Sequence, residues 1–300
     1  MAQIAVIIVN YNGKEDTIEC LNSLATCHSV SFTPIVVDNG STDGSVATLS
    51  SHFPSLHLIR SETNLGFAGG NNLGITYALE QGFSHLCLLN NDTTVAPSFL
   101  SALASSYKEH SILGAKLINA KNHALLDHLG GIWNADRLEF DLVGAGANAA
   151  LYKNKIQLDY VCGCALFASR SVFERVGFLY EPFFLYWEES DFCMRAKKAG
   201  ILSYSCPDAL VYHKGAIAPE KKSSLTSYYA QRNRLLFLSR NISLTSTQKK
   251  TLRKILFRKC KHFLLHILQL PFSKKKKRIV YEWAEIRGII HGIRGRYGKL

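Results

Sequence analysis

Short apolar runs alternate with amphipathic stretches over the first 110 residues of the chain. Four aliphatic-rich runs predict buried strands, at residues 4–9, 34–38, 56–60 and 85–90. Between and after them, apolar positions recur at helical spacing over residues 14–25, 45–53, 72–81 and 97–107. Strands and helices that alternate in this way predict an α/β fold, in which a mainly parallel sheet is flanked by helices.

The pattern weakens over residues 119–158, where Gly, Asn and short apolar pieces predict loops with a few antiparallel strands. Further strands are predicted at 161–169 and 209–213, with helices at 170–176 and 189–198, and a polar, mobile segment at 214–222. The last fifty residues are helical by period, with apolar stripes from Leu252 to Leu270 and from Ile279 to Ile293. We therefore predict one α/β domain over residues 1–222 and a basic helical region over residues 223–300.

The net charge of +12 lies entirely in the C-terminal stretch. Residues 249–300 contain 16 Lys and Arg against two Glu, a net charge of +14, so the other 248 residues carry −2. Because the body is nearly neutral, a broad nucleic-acid-binding surface on the α/β domain is not expected. Hydrophobic residues make up 47% of the 300-residue chain, enough for a sizeable core.

Eight scattered cysteines form no CxxC pair, and the CGC at 162–164 lacks a second pair at zinc-site spacing. We expect reduced, mostly buried thiols, as in a cytosolic protein. The N-terminal MAQIAVIIVNYNG has no basic leader typical of a signal peptide. No apolar run reaches the length of about 18–20 residues that spans a bilayer.

Polar side chains follow each of the four predicted strands, namely residues 10–12, 38–39, 64–71 and 90–92. One such group is usually a turn, since Asn and Asp bond their own backbone there. Four groups at the same edge of a parallel sheet favour a ligand site, because ligands bind outside the carboxyl ends of such strands. GFAGGN follows the third strand rather than the first, so it only weakly supports a dinucleotide site.

A second acidic group lies in FLYWEESDFCMR, residues 184–195. Glu188, Glu189 and Asp191 begin a predicted helix, where acids also stabilise the helix dipole. Alternatively, like charges and the neighbouring aromatic residues raise a carboxyl pKa towards that of a useful general base. His213 ends a predicted strand, as Asp92 does, so the two could share a hard cation.

Seven motifs in order resemble a family 2 glycosyltransferase, most closely the rhamnosyltransferase-like branch of bacterial polysaccharide assembly. They are VNYN (9–12), VVDNGSTDGS (36–45), NLGFAGGNN (64–72), LLNND (88–92), GCALFASRSVFERVG (163–177), FFLYWEESDFCMRAKKAG (183–200) and VYH (211–213). YYAQRNRLLFLSR, residues 228–240, also resembles the Arg-Asn-Arg helix of that branch. The resemblance implies a GT-A fold and an inverting transfer of a sugar from a nucleoside-diphosphate donor.

The resemblance also implies a divalent cation, Mg²⁺ or Mn²⁺, that bridges the diphosphate. Asn90-Asn91-Asp92 stands where the family has its DxD motif, so Asp92 would bind the metal, together with His213 of VYH. The first acid of the motif is replaced by the amide of Asn90, which puts the strength of the metal site in doubt.

Further site residues are carried over by position in the motifs. Asp38 matches the acid that hydrogen-bonds the pyrimidine base, and Tyr11 a residue that packs near it. The other predicted nucleotide-sugar-binding residues are Asn12, Asn39, Asn64, Gly66, Asn71, Asn91, Arg232 and Arg234. Glu189 matches the catalytic base, although the family has the shorter Asp there; Glu188 and Asp191 are the alternatives.

The basic amphipathic tail predicts binding to an anionic membrane surface, where a lipid-linked glycan acceptor would lie. The alternatives are a hairpin packed on the catalytic domain and nucleic-acid binding by KKKKR. We thus predict a cytoplasmic glycosyltransferase, peripheral on the inner face of the cell membrane. Its donor would be a dTDP- or UDP-linked sugar, with rhamnose as one candidate, and its acceptor a lipid-linked or cell-surface polysaccharide.

Two rival functions follow from the same residues. The first is an inactive transferase-like scaffold, which the departures at Asn90 and Glu189 would favour. The second is a sugar nucleotidyltransferase, which would carry a basic Gly-rich phosphate loop after the first strand; VNYNGK offers little of that.

Overall fold

A mixed sheet is the centre of the fold in the computed structural model, which describes residues 3–215, 223–268 and 276–300. The strands are β1 Ile4–Asn10, β2 Phe32–Asp38, β3 His57–Arg60, β4 His85–Asn90, β5 Thr93–Val95, β6 Ser111–Asn119, β7 Gly130–Asn134, β8 Glu139–Leu142, β9 Gln157–Leu158, β10 Tyr160–Val161, β11 Ala165–Ser169 and β12 Leu202–His213. The helices are α1 Lys14–Leu24, α2 Ser45–His52, α3 Gly66–Glu80, α4 Phe99–Ser106, α5 Arg170–Val176, α6 Glu188–Lys198, α7 Ser224–Asn241, α8 Ser246–Leu268 and α9 Lys276–Ile293.

The central sheet has the strand order β3-β2-β1-β4-β11-β6-β12-β5, with β9 also paired to β12. Strands β3, β2, β1 and β4 are parallel, as the alternating pattern predicts, and β6 is parallel to β12. Strand β11 runs antiparallel between β4 and β6 and joins the two halves. The prediction of a mainly parallel α/β sheet is confirmed, and a small antiparallel sheet, β10-β7-β8, occupies the region of weak pattern.

Strand β1 is apolar throughout because both faces of the sheet are covered. Val6 and Ile8 pack in one core cluster, while Ala5 and Ile7 pack in the other. The in-register pairing then places the strand ends side by side: Asn10 lies opposite Asp38 in β2, and Val9 opposite Asn90 in β4. The polar residues that follow these strands therefore meet at one edge of the sheet.

Helix α3 begins earlier than the sequence predicts. The glycine-rich stretch expected to be a loop forms the first turns of the helix, which starts at Gly66 rather than near Asn72. The glycines are needed for close packing on the sheet: a Cβ on Gly74 would lie 2.4 Å from Ile7 Cγ2, and one on Gly70 2.8 Å from Val9 Cγ1. The composition alone predicts a loop there, because the β1 residues against which these glycines pack are distant in sequence.

Within the C-terminal region, α9 lies against α7, and α7 in turn packs on the α/β domain through Asn233 and Arg234. A Cβ on Gly288 would stand 2.3 Å from the carbonyl oxygen of Tyr228, so this glycine lets the two helices approach closely. Helix α8 pairs with α9 through Lys259–Glu285 at 2.7 Å and His266–Glu282 at 2.8 Å. The predicted stripe residue Leu270, and most of the predicted mobile segment 214–222, lie outside the described residues.

In the described part of the chain, every helix is too short or too polar to cross a bilayer. The eight cysteines are free thiols, six of them buried, as predicted.

Candidate active site

The first part of the site lies beyond β1 and β2. Asn10, fully buried, donates from Nδ2 to Asp38 Oδ2 at 2.8 Å, and the Ser41 N–H donates to Asp38 Oδ1 at 3.0 Å. Asn12 accepts a hydrogen bond from the Thr42 N–H at 2.8 Å, and Tyr11 beside it is half exposed. The structure thus brings the predicted base-binding residues to one edge, with the Asp38 carboxylate held in a fixed orientation.

Three predicted nucleotide residues shape the start of α3. Asn39 Oδ1 accepts from the Leu65 N–H at 2.9 Å, and Asn39 Nδ2 donates to the Gly66 carbonyl at 2.9 Å. Asn64 Oδ1 accepts from the Gly66 N–H at 2.8 Å, while Asn71 Nδ2 donates to the Phe67 carbonyl within α3. These amides fix the backbone that faces the strand ends. The Asn-rich sequence that predicted a ligand site is therefore explained in part by side-chain hydrogen bonds that shape a turn.

The Asn90-Asn91-Asp92 motif ends β4 at the same edge. Asn91 Nδ2 donates to Thr17 Oγ1 at 3.1 Å, which ties the motif to α1. The Oδ1 atom of Asn90 is buried and has no hydrogen-bond partner among the described residues. Asp92 Oδ1 lies 3.5 Å from Nε2 of His213, at the end of β12. The predicted metal pair is therefore in place, although the two residues are 121 positions apart.

His213 is held from its other side by Asp127, which sequence reasoning missed. Asp127 Oδ2 lies 2.7 Å from His213 Nδ1, and Asp127 is almost fully buried. Burial lowers the pKa of His213, but the hydrogen bonds to Asp127 and Asp92 outweigh it and raise that pKa to about 9. Asp127 stands in DHLGG, within the stretch of weak pattern, and its proximity to His213 is visible only in three dimensions.

The donor set suits a hard divalent cation. Asp92 offers carboxylate oxygens, and His213 can offer Nε2 when its Nδ1–H donates to Asp127, a common second-sphere arrangement at metal sites. Within residues 3–215, 223–268 and 276–300, no three His, Cys, Asp or Glu side chains form a metal-binding cluster. Asp92 and His213 are thus two potential ligands here, and a bound diphosphate would have to supply others.

A cavity of about 760 Å³ opens beside this pair. Its polar lining includes Asn90, Asp127, His213, Glu188 and Glu189. Its apolar wall consists mainly of aromatic side chains: Phe67, Phe140, Tyr160, Tyr186 and Trp187. His213 of the predicted metal pair and both glutamates therefore line one space of a size that accommodates a small ligand.

Glu188 and Glu189 begin α6 in this wall; Glu188 is buried and Glu189 partly buried. Each has a buried Oε2 atom with no hydrogen-bond partner among the described residues. Burial raises the pKa of Glu188 well above its ordinary value, and the charge of Glu189 adds to the shift. Burial also raises the pKa of Glu189, against hydrogen bonds from backbone N–H groups, which lower it. A buried pair of carboxyl groups with raised pKa values is typical of acid–base sites.

Asp191, the third predicted acid, does not line the described cavity. Its carboxylate accepts from Arg195 Nε at 2.8 Å, Arg240 Nε at 3.0 Å and Asn241 Nδ2 at 2.7 Å. This environment ties α6 to α7 and leaves Asp191 a structural role.

Arg232 and Arg234, predicted to bind the nucleotide sugar, are also committed elsewhere. Arg232 is fully buried and donates to the Phe183 carbonyl at 2.6 Å, while Arg234 donates to the Arg137 and Leu138 carbonyls at 2.6 and 3.0 Å. Because main-chain carbonyls occupy both guanidinium groups, the structure favours a positioning role for these residues.

Known proteins are similar to this chain in sequence, in some cases along almost its whole length. The sequence model of glycosyl transferase family 2 matches residues 5–177. The low-salt glycan biosynthesis hexosyltransferase Agl10 of Haloferax volcanii is 29% identical, over 99% of this chain and 92% of its own. The dTDP-rhamnosyl transferase RfbF of Shigella flexneri is 25% identical, over 99% of this chain and 97% of its own.

Solved structures show the fold. The mannosyltransferase PcManGT from Pyrobaculum calidifontis, in complex with GDP-Man and Mn²⁺, matches with a TM-score of 0.60 at 13% identity, over 98% of this chain and 87% of that one. GalNAc-T7 with UDP, GalNAc and Mn²⁺ matches with a TM-score of 0.59 at 14% identity, over 79% of this chain and 48% of that one. The predicted GT-A fold is confirmed.

Proposed function

The chain belongs to glycosyl transferase family 2, and from this premise we propose that it transfers a sugar from a nucleoside diphosphate to a hydroxyl of a lipid-linked or cell-surface glycan. The observation that carries the proposal is the cavity that His213, Glu188 and Glu189 all line, with Asp92 Oδ1 3.5 Å from His213 Nε2. One pair suits the diphosphate of a donor, and the other suits proton removal from an acceptor. The names of the relatives support a hexose or a dTDP-linked rhamnose as the donor sugar, and a UDP-linked sugar is the alternative.

The nucleotide would lie along the strand ends, with Asp38 and Tyr11 at the base and Asn12 nearby. Asp38 is held by Asn10 and Ser41, so its carboxylate is pre-oriented for a hydrogen bond to the base. Asn39, Asn64 and the other predicted amides would act through the backbone that they fix.

Asp92 and His213 would hold a divalent cation, Mg²⁺ or Mn²⁺, against the donor. When bound, such an ion neutralises charge on the departing diphosphate and makes it a better leaving group. Asp127 would fix the tautomer and orientation of His213 through the 2.7 Å contact to Nδ1.

Glu189 would be the general base. Two adjacent buried carboxyl groups resist joint ionisation, so Glu188, whose pKa the charge of Glu189 raises further, keeps its proton while Glu189 is ionised. Glu189 takes the proton of the acceptor hydroxyl, and that oxygen bonds to the anomeric carbon opposite the diphosphate. The bond from carbon to the diphosphate oxygen breaks, its electrons leave with the diphosphate, and the configuration inverts.

The α8–α9 hairpin would rest on the anionic inner face of the cell membrane, where a lipid-linked acceptor is presented. Phe257 and Leu264 on α8 are 70% and 59% exposed. They share a helical face with the exposed Lys254 and Lys261, at spacings of three and four residues. This mixture of exposed apolar and basic side chains suits an interfacial helix. In this proposal residues 1–222 form the catalytic domain, and residues 223–300 support it and reach the membrane.

The test is calorimetric binding of UDP, dTDP and GDP to the purified protein, first with Mn²⁺ and then with EDTA. We expect one pyrimidine diphosphate to bind with Mn²⁺, and the chelator to remove most of that affinity. Asp92→Ala should behave like the chelated protein, whereas Asp208→Asn, at an exposed carboxylate on β12, should bind normally. Failure of all three nucleotides to bind would reject the proposal and favour an inactive scaffold.

A further inference from the structure

The residues that precede Glu188 adopt a backbone that side-chain-bearing residues rarely adopt. Phe184, Tyr186 and Trp187 have φ angles of 64°, 69° and 77°, in the left-handed region that favours glycine. Bulky residues keep such angles only where the surrounding structure holds them, and such positions cluster at functional sites. We call residues 183–187 the 183–187 turn. Because Trp187 is the N-cap of α6, the shape of this turn decides where Glu189 projects.

One side chain on α7 holds three carbonyl groups of this turn. Asn233 is fully buried, and its Nδ2 donates to the carbonyl oxygens of Phe183 at 2.9 Å, Leu185 at 2.7 Å and Tyr186 at 2.8 Å. Because an amide nitrogen has two hydrogens, one N–H is shared between two of these carbonyls. Its Oδ1 accepts from Arg232 Nε at 2.8 Å. Since a guanidinium only donates, this contact fixes which end of the Asn233 amide faces the turn.

Arg232 also donates hydrogen bonds to the backbone in and around this turn. Its Nη2 donates to the carbonyls of Pro182 at 3.0 Å and Phe183 at 2.6 Å, and its Nη1 donates to the Gly298 carbonyl. The Gly298 N–H in turn donates to the Pro182 carbonyl at 2.8 Å. The residues around the turn are therefore joined to the C-terminal stretch as well as to α7.

The other side of the turn contacts the start of α3. The Phe184 carbonyl accepts from the Phe67 N–H at 2.7 Å, and a Cβ on Gly66 would stand only 2.3 Å from that carbonyl oxygen. The turn is thus packed between α3, which bears predicted donor-binding residues, and α7. Within the described residues, every hydrogen bond of the Asn233 Nδ2 atom is to the turn.

We propose that Asn233 is a positioning residue for the transfer step: it holds the 183–187 turn in its left-handed conformation and so places Glu189 at the acceptor hydroxyl. The inference rests on the proposed role of Glu189 as base. Without the three donated hydrogen bonds, the turn relaxes towards ordinary φ angles, and the start of α6 moves with it.

The experiment compares Asn233→Ala with wild type in three measurements: kcat at saturating donor, calorimetric affinity for the nucleoside diphosphate, and melting temperature. We expect kcat to fall about 100-fold, as for a small displacement of a catalytic group, with nucleotide affinity unchanged. Ser205→Ala is the matched control, because it removes another fully buried side-chain hydrogen bond to the backbone: Ser205 Oγ accepts from the Ile156 N–H at 2.9 Å. If Asn233→Ala does not fold, Asn233→Ser, whose hydroxyl can still donate one hydrogen bond, takes its place.

A second variant separates positioning from general stability. Glycine adopts positive φ without strain, so Tyr186→Gly makes the native turn less costly to hold. We expect the loss of kcat caused by Asn233→Ala to be smaller in the Tyr186→Gly background than in wild type, a coupling that a double-mutant cycle measures. A residue that only stabilised the fold would show no such rescue of kcat.

Three outcomes are distinguishable. A kcat loss with retained nucleotide affinity and rescue by Tyr186→Gly supports the inference. A kcat that falls only in proportion to the unfolded fraction, as in Ser205→Ala, overturns it while leaving the proposed function intact. Full turnover by Glu189→Gln would instead remove the proposed base, and the inference with it.

Discussion

At the scale of single residues, Glu189 and Glu188 are neighbours in the chain to which we assign different protonation states. Glu189→Gln removes only the proposed base and preserves the shape of the cavity wall. We expect donor-nucleotide affinity to stay unchanged and kcat to fall by a factor of about 10² to 10⁴, the usual contribution of a general base. Calorimetry and a transfer assay with the same protein sample measure both. Glu62→Gln, at an exposed carboxyl, is the control; turnover by Glu189→Gln equal to that of the control would contradict the assignment.

Glu188 gives a prediction about stability and pH. Its pKa in the folded protein is raised well above the ordinary 4.5, so the folded state favours the protonated carboxyl. As pH rises above the pKa of the unfolded state, the carboxyl ionises first in the unfolded chain, which lowers the free energy of that state. The folded protein therefore loses stability until pH passes the pKa of the folded state. Glu188→Gln removes this loss, which reaches about 1.4 kcal/mol per pH unit.

The melting temperature of Glu188→Gln should therefore exceed that of wild type at pH 8, and the difference should shrink as pH falls towards 4.5. Differential scanning calorimetry across this range checks it, again with Glu62→Gln for comparison. A difference that does not depend on pH would show that Glu188 titrates normally.

At the scale of elements, the contact between α7 and α9 depends on a glycine. A Cβ on Gly288 would lie 2.3 Å from the Tyr228 carbonyl oxygen and 3.3 Å from the Arg232 backbone nitrogen. Gly288→Ala should push α9 away from α7 and lower the free energy of unfolding by about 1–3 kcal/mol, the usual cost of overpacking. Urea denaturation measures the change. Val280→Ala, at an exposed position of the same helix, should leave the midpoint almost unchanged; equal midpoints for the two variants would mean that the helices tolerate the extra atom.

At the scale of the whole molecule, the concentration of positive charge in residues 249–300 predicts binding to an anionic membrane surface. Reversing Lys254, Arg258 and Lys261 on the exposed face of α8 should weaken binding to vesicles containing anionic lipid by at least roughly 100-fold, at about 1 kcal/mol for each basic residue near the surface. Sedimentation with vesicles measures this. Reversing Lys108, Lys121 and Lys153, which are exposed on the α/β domain, is the matched control. Equal loss in both triple variants would show that charge alone, and not this face, drives binding.

Substitution is preferable to deletion in that experiment, because part of the C-terminal region packs on the rest of the protein. Helix α9 packs against α7, and Gly298 contacts Pro182 and Arg232 near the 183–187 turn. The expectation of a membrane-binding hairpin and its alternative, a hairpin packed on the catalytic domain, therefore describe different faces of one unit. The packed face is in the structure; membrane binding stays a prediction.

Much of the fold followed from the sequence because its signals are local. Apolar runs such as residues 4–9 and helical periods such as residues 14–25 predict elements whose ends differ little from β1 and α1. Parallel strands align their carboxyl ends, so the gathering of Asp38, Asn90 and Asp92 at one edge also followed. The early start of helix α3 was not predicted, because its glycines are explained by close contact with the sheet, and composition carries no information about that contact.

Local sequence patterns were enough to predict the α/β class and a site at the strand ends, and the motifs pointed to Asp92, His213 and Glu189 as candidates for its chemistry. The folded arrangement selects which polar groups lie together, because burial and hydrogen-bond partners depend on residues far apart in the chain. It brought Asp127 to His213 and tied Asp191 into an ion-pair network. It also turned Arg232 away from the cavity and set Asn233 against the 183–187 turn. A side chain's type fixes what it can donate or accept, and the fold fixes what it meets.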